Sequence, residues 1–124
     1  MRLLLDTQVM LWWLLDDSRL KPETRELIAS NHCLVSVASI WEVAIKHRLG
    51  KLPVAPSHFR DHCLQSGATL LPVLDSHASE TSALPAIHDD PFDRLLIAQA
   101  RMEGLMAVSA DRHWPRYDVT LHRA

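Results

Sequence analysis

An α/β fold with a short, mainly parallel sheet covered by helices on both faces is what this sequence predicts, and three observations predict it. Short apolar runs alternate along the chain with longer segments of helical periodicity. All three glycines, Gly50, Gly67 and Gly104, fall just past a predicted helix end, where a left-handed backbone closes the last turn. Apolar residues make up 48% and charged residues 23% of the chain, the balance of a folded globular protein. At 124 residues the chain fits one domain, 1–124, and a domain of this size buries roughly two thirds of its unfolded surface.

The elements follow in order. Arg2 to Leu5 is a short apolar strand ending at Asp6-Thr7, and the stretch to about Leu15 is apolar nearly all round, a helix buried on two sides. Pro22 opens a second helix to about Ser30, with Leu27 and Ile28 as its core face. Cys33 to Ser36 is a strand. Ser39 is expected to cap a helix to Leu49, with Glu42 in its first turn completing a Ser-x-x-Glu capping box. A helix from about Ser57 to Ser66, a strand from Thr69 to Pro72 and a polar-faced helix from Ser76 to about Leu84 come next. Asp90-Pro91 opens the last long helix, which carries Leu95, Leu96, Ala98 and Ala100 and ends before Gly104. Met106 to Ser109 is a strand, and Val119 to Leu121 an edge strand.

Composition narrows the function classes. A net charge of −2 and pI near 6.4 provide no basic excess to neutralise phosphates, although a bound cation would supply positive charge locally. With every glycine assigned to a helix end, none remains for a P-loop or a dinucleotide fingerprint. Cys33 and Cys63 form neither a disulfide framework nor a zinc-finger spacing, which points to a reducing, cytoplasmic setting. No apolar run approaches the roughly 20 residues of a membrane span, and the N-terminus lacks the features of a signal peptide.

Four acidic residues lie where these segments open toward solvent: Asp6 after Leu3-Leu4-Leu5, Glu42 in its helix, Asp93 in Asp90-Pro91-Phe92-Asp93-Arg94, and Asp111 after Ala107-Val108-Ser109-Ala110. Each has a structural alternative. Asp6 suits an N-cap, Glu42 a capping box or an i,i+4 pair with Lys46, Asp93 the positive end of a helix dipole, and Asp111 a turn. Together they predict one acidic pocket beyond the carboxyl ends of the strands, where parallel sheets bind ligands. Two unit charges ~4 Å apart repel by about 4 kcal/mol at an effective dielectric of 20, so converging carboxylates need a counter-ion. Mg²⁺ takes a few carboxylates and keeps waters, and Mn²⁺ suits the same ligands. Asp89 and Asp90 are further candidates for this pocket. Lys46, Arg94 and Arg112 are the nearby cations, which could contact phosphates or stand as ordinary solvated surface charge.

Other constellations are thinner. His58 and His62 are four apart on a predicted helix and could share zinc, but a third ligand and the HExxH glutamate are missing. Gln8 stands where haloacid-dehalogenase phosphatases carry a second aspartate, and no GxSxG elbow is present. Trp12, Trp13, Trp41 and Trp114 could stack on bases, whereas at helical spacing in apolar runs the first three suit core or interface.

Leu3-Leu4-Leu5-Asp6-Thr7, Ser39-Ile40-Trp41-Glu42-Val43-Ala44-Ile45-Lys46 with Leu49-Gly50-Lys51-Leu52, Asp90 to Ala100 (DPFDRLLIAQA), and Ser109-Ala110-Asp111 together resemble PIN-domain proteins, in particular VapC-type toxins of bacterial toxin–antitoxin pairs. The resemblance spans essentially the whole chain in order. It implies a three-layer α/β/α sandwich, a Mg²⁺- or Mn²⁺-dependent ribonuclease and neutralisation by a small VapB-like antitoxin. It places Asp6, Glu42, Asp93 and Asp111 at the family's acidic metal positions. Gln8, where relatives commonly carry histidine, and Ser109, where threonine is frequent, depart from the pattern without removing a carboxylate. The apolar helix from Val9 to Leu15 and its successor could supply a homodimer or antitoxin surface. A PIN-fold protein- or RNA-binding module without nuclease activity is the alternative.

Overall fold

The computed structural model describes residues 1–124 and contains a five-stranded, all-parallel sheet in the order β3-β2-β1-β4-β5. The strands are β1 (Arg2–Leu5), β2 (His32–Ser36), β3 (Thr69–Leu71), β4 (Met106–Ser109) and β5 (Leu121–Arg123). The helices are α1 (Thr7–Leu14), α2 (Pro22–Ser30), α3 (Val37–Arg48), α4 (Pro56–Gln65), α5 (Asp75–Glu80) and α6 (Pro91–Glu103), with 3-10 turns at Thr81–Ala83 and Trp114–Arg116.

Alternation along the strands sorts the core into two layers. Leu3 and Leu5 of β1, Cys33 and Val35 of β2 and Val108 of β4 face one cluster, together with Val9 and Met10 of α1, Ile28 of α2 and Phe59 of α4. Their neighbours Leu4, Leu34 and Ala107 face the other, against Leu96, Ile97 and Ala100 of α6 and the indole of Trp114. Helices on both faces explain why β1 is apolar at three successive positions: Leu3, Leu4 and Leu5 are all fully buried, each contributing about 1.5–3 kcal/mol. The chain thus forms the three-layer α/β/α sandwich that its sequence predicts.

Strand order places the site. From β1 the chain moves outward on one side to β2 and β3, then crosses to β4 and β5 on the other. The reversal lies between β1 and β4, and a crevice opens there beyond the carboxyl ends of the strands.

Three elements differ from expectation. Ser36, not Ser39, caps α3, its side chain accepting from the Ala38 N–H at 3.1 Å, so the helix begins earlier than predicted. Glu42 consequently lies in the second turn and makes no capping box. The helix expected to reach Leu84 stops at Glu80, because Arg94 of α6 reaches over and donates to the carbonyls of Thr81, Leu84 and Pro85. The edge strand starts at Leu121, since Trp114 and Tyr117 are drawn into the core first and Val119 packs beside them.

Candidate active site

Asp6 is held twice at the end of β1. As N-cap of α1 its Oδ1 accepts from the Val9 N–H at 2.7 Å, and its Oδ2 accepts from the Ser109 hydroxyl at the end of β4. The residue is 5% exposed. Burial pushes its carboxyl up to about 7; the charges of Asp93 and Glu42 add to the rise, while the Ser109 and Val9 bonds hold it down.

Thr7, the first residue of α1, aims Glu42. Its hydroxyl donates to Glu42 Oε1 at 2.7 Å and lies 2.8 Å from the Ser39 hydroxyl. Freed from the helix end, Ser39 thus helps to buttress the acid three residues on. Glu42 Oε2 accepts from Lys46 Nζ at 2.9 Å, and that bond, with the charges of Asp90 and Asp93, raises the lysine above its ordinary value.

Asp90 caps α6 through the N–H groups of Phe92 and Asp93, which turns the Asp93 side chain inward. Burial first, then Asp90 and Asp111, push Asp93 up to about 6, against a bond from His88. Asp111 follows β4, its N–H donating to Ser109 Oγ. Its partial burial acts upward, yet the His113 backbone and ring and the charge of His88 hold it below the usual carboxylate range.

All four sequence-identified acids therefore line one cleft of about 320 Å³, together with Asp90, Lys46, Thr7, Gln8, Leu11, Trp12 and Ala110. It sits at the β1/β4 reversal. Lys46 is the one cation on its wall. With Asp6 and Asp93 raised toward neutrality and a single ammonium on its wall, the cleft is short of positive charge, and every carboxylate oxygen is a hard donor. The residues fit a divalent cation such as Mg²⁺ or Mn²⁺.

The PIN domain family model matches residues 3–119. The chain belongs to the PIN-domain family.

Ribonuclease VapC16 of Mycobacterium tuberculosis is 38% identical over 66 residues, covering 49% of this chain and 47% of that protein, so the chain spans about half the length of the curated relative it matches. Among solved structures, VapBC2 from Rickettsia felis bound to a promoter DNA fragment superposes with a TM-score of 0.73 at 14% identity, over 99% of this chain and 98% of that one. DNA-bound VapBC from Salmonella typhimurium gives 0.69 at 18% identity, over 99% and 98%. At these identities the structural likeness is one of fold.

The remaining expectations divide. Asp89 is exposed and does not line the cleft, whereas Asp90 does. Arg94 is committed to the carbonyls of the 81–85 turn and the Tyr117 hydroxyl, so it serves the fold and not the cleft. Arg112 is exposed on the turn beyond Asp111 and lies off the cleft wall. His58 and His62 are exposed and join no cluster of three ligands. Trp114 is fully buried and Trp41 is 62% exposed, in edge contact with Phe92.

Sequence reading missed two histidines of this PIN domain. His88 Nε2 lies 2.8 Å from Asp93 Oδ2 and 3.5 Å from Asp111 Oδ2, and His113 Nδ1 lies 2.9 Å from Asp111 Oδ1. Their rings stack at 4.2 Å between centroids. The available signal was spacing, since one precedes Asp93 by five residues and the other follows Asp111 by two.

Proposed function

We propose that the chain is a VapC-type toxin, an endoribonuclease that hydrolyses RNA phosphodiester bonds with Mg²⁺ or Mn²⁺ in the cytoplasm and is silenced by a VapB-like antitoxin. The observation that carries this reading is the convergence of Asp6, Glu42, Asp93 and Asp111 at the β1/β4 reversal, with Lys46 the one cation lining the cleft. Asp6, Glu42 and Asp93 would hold the cation, with Asp111 completing the set. When bound, such an ion supplies Lewis-acid charge for attack on a phosphodiester. The chain does the rest. Asp6 stays fixed by Val9 and Ser109, Thr7 keeps Glu42 turned inward, and the helix-capping role of Asp90 holds Asp93 in place. Lys46 is free to exchange its bond to Glu42 for one to a substrate phosphate.

The named relative is a ribonuclease and the named structures are VapBC assemblies, which support both the activity and a VapB-like partner. A homodimer is part of the same proposal, through a surface other than the one expected. Val9, Met10 and Leu11 of α1 are core. Exposed apolar side chains instead repeat every four residues along α3 at Val37, Trp41 and Ile45 and on to its C-cap Leu49, and Trp41 and Ile45 share an apolar groove with Phe92 and Leu95 of α6.

The test is incubation of purified, antitoxin-free protein with structured and unstructured RNAs, with Mg²⁺ or Mn²⁺ and with EDTA, beside Asp6→Asn. Cleavage that requires both metal and Asp6 is expected. Folded protein that cuts no RNA under any metal would favour a binding module.

A further inference from the structure

One wall of the acidic cleft carries no charge. Asp6, Glu42, Lys46, Asp90, Asp93 and Asp111 are ionisable, whereas the body of α1 contributes Gln8, Leu11 and Trp12. We propose that this wall, with Arg19 on the loop that follows α1, is a subsite for one unpaired nucleotide of single-stranded RNA, its base against the Trp12 indole and its phosphate on the Arg19 guanidinium. The inference rests on the nuclease reading above and names how that cleft holds its substrate.

Trp12 faces two ways. Its ring packs on the layer that holds Val9 and Met10, yet the residue is only half-buried and lines the cleft. The indole N–H is wholly buried, so the part of the ring open to the cleft is carbon. Such a surface stacks on a base of any sequence, and only an unpaired base can splay out to reach it. Gln8 stands one turn earlier on the same face of α1, exposed and on the same wall, and supplies an amide for a base edge.

The Arg19 guanidinium lies over the indole, 5.2 Å from the ring centroid. Its own loop sets it there. Asp17 accepts from Nε at 3.1 Å and from Nη2 at 2.7 Å, while Nη1 is left unengaged on a side chain that is 68% exposed. The loop is fastened in turn: the Asp17 N–H donates to the Trp12 carbonyl at 2.9 Å, and Arg25 donates to the Asp16 carboxylate and to the carbonyls of Asp17 and Leu20. A held guanidinium with a free edge suits a phosphate oxygen. It also brings positive charge beside a cleft whose wall carries only Lys46. Indole and guanidinium are adjacent, as the base and phosphate of one nucleotide are.

The experiment reads RNA binding apart from cleavage. Fluorescein-labelled oligoadenylate, oligouridylate and their duplex are titrated by anisotropy into Asp6→Asn protein with Mg²⁺ over a range of salt. The parent is compared with the same protein carrying Trp12→Leu, Trp12→Phe, Arg19→Ala or Arg101→Ala, the fold of each being checked by circular dichroism and urea midpoint. The single strands are expected to bind better than the duplex. Trp12→Leu should weaken single-strand binding about tenfold or more with its salt dependence unchanged, and Trp12→Phe should keep most of the affinity because it keeps a stacking face. Arg19→Ala should lower the slope of log affinity against log salt by about 0.7, the value of one phosphate contact on a single strand, and Arg101→Ala should change neither. Equal single-strand affinity in Trp12→Leu and parent, Trp12→Phe as weak as Trp12→Leu, an unchanged salt slope in Arg19→Ala, or no RNA bound by folded parent would each overturn the subsite. Metal-dependent cleavage by the unsubstituted chain would still stand in those cases. Conversely, Trp12-dependent binding by a chain that cuts no RNA would keep the subsite and sink the nuclease.

Discussion

The two ends of the sheet hold clefts of opposite character. At the amino-terminal end a cleft of about 530 Å³ runs between Met1, Arg2, Arg101, Gly104 and Thr120; the acidic cleft at the carboxyl end is smaller, about 320 Å³. In the larger one, Arg2, Arg101 and Asp118 are exposed. In the smaller one, Asp6 and Glu42 are buried, and Asp6 and Asp93 are raised by burial and by neighbouring carboxylates, Asp93 and Glu42 for the first and Asp90 and Asp111 for the second. On the proposed function, chemistry belongs where charge is forced together and not where space is greatest. The parallel sheet explains the asymmetry, because the turns after β1 and β4 deliver Asp6 and Asp111 to one end only.

The strongest way to break this comparison is to remove one buried charge. Asp6→Asn keeps a side chain that caps α1, so the fold should persist while RNA cleavage falls by at least about a hundredfold, as expected for losing several kcal/mol of cation-borne stabilisation. Rates of RNA cleavage by purified variant and wild type decide it.

A second effect lies in stability against pH. Asp6 has an ordinary value of 3.8 and a folded value of about 7, and Asp93 rises from 3.8 to about 6. The folded, metal-free protein therefore holds protons that the unfolded chain has released, and its stability falls as pH rises from about 4 to about 7. The loss is on the order of a few kcal/mol, since each tenfold difference in proton affinity between folded and unfolded chain corresponds to about 1.4 kcal/mol. Urea unfolding in EDTA across that range should show the decline; Asp6→Asn should flatten it, and saturating Mg²⁺ should oppose it. A metal-free stability that climbs with pH would contradict the buried-charge description.

Smaller changes sharpen the contrast. Ser36→Ala removes the α3 cap and should lower stability by about 1 kcal/mol, measurable as a shifted urea midpoint, whereas the same change at Ser39 should act mainly through the Thr7–Glu42 pair and reduce Mg²⁺ affinity. At the opposite end, Arg101→Ala should leave cleavage unchanged and move stability by less than about 0.5 kcal/mol. Cleavage lost with Arg101→Ala would assign function to the larger cleft.

Much of this was legible in local pattern. Leu3-Leu4-Leu5 reads as a doubly covered strand, Asp90-Pro91 as a helix start and Gly104 as a helix end, and each signal arises from a few adjacent residues. The four acids were legible because each stands where an element opens, and the family resemblance orders them. Tertiary contacts account for what was not. Ser36 and Ser39 both suit a cap; burial of Ser39 beside Thr7 decides between them. Arg94 looks like a phosphate ligand until the 81–85 turn folds over it. His88 and His113 meet only because the loops before α6 and after β4 converge, far apart in the chain and invisible to any periodic signal.

The bond between Ser109 and Asp6 joins residues 103 positions apart. Asp6 is synthesised well before Ser109, Asp111 and His113, and β1 finds its β4 neighbour only after α6 has been made. The cleft thus stays incomplete until β4 has been made. Before β4 emerges there is no assembled cleft, so the toxin proposed above becomes dangerous to its own cell only once that strand is in place, when a waiting partner can meet it.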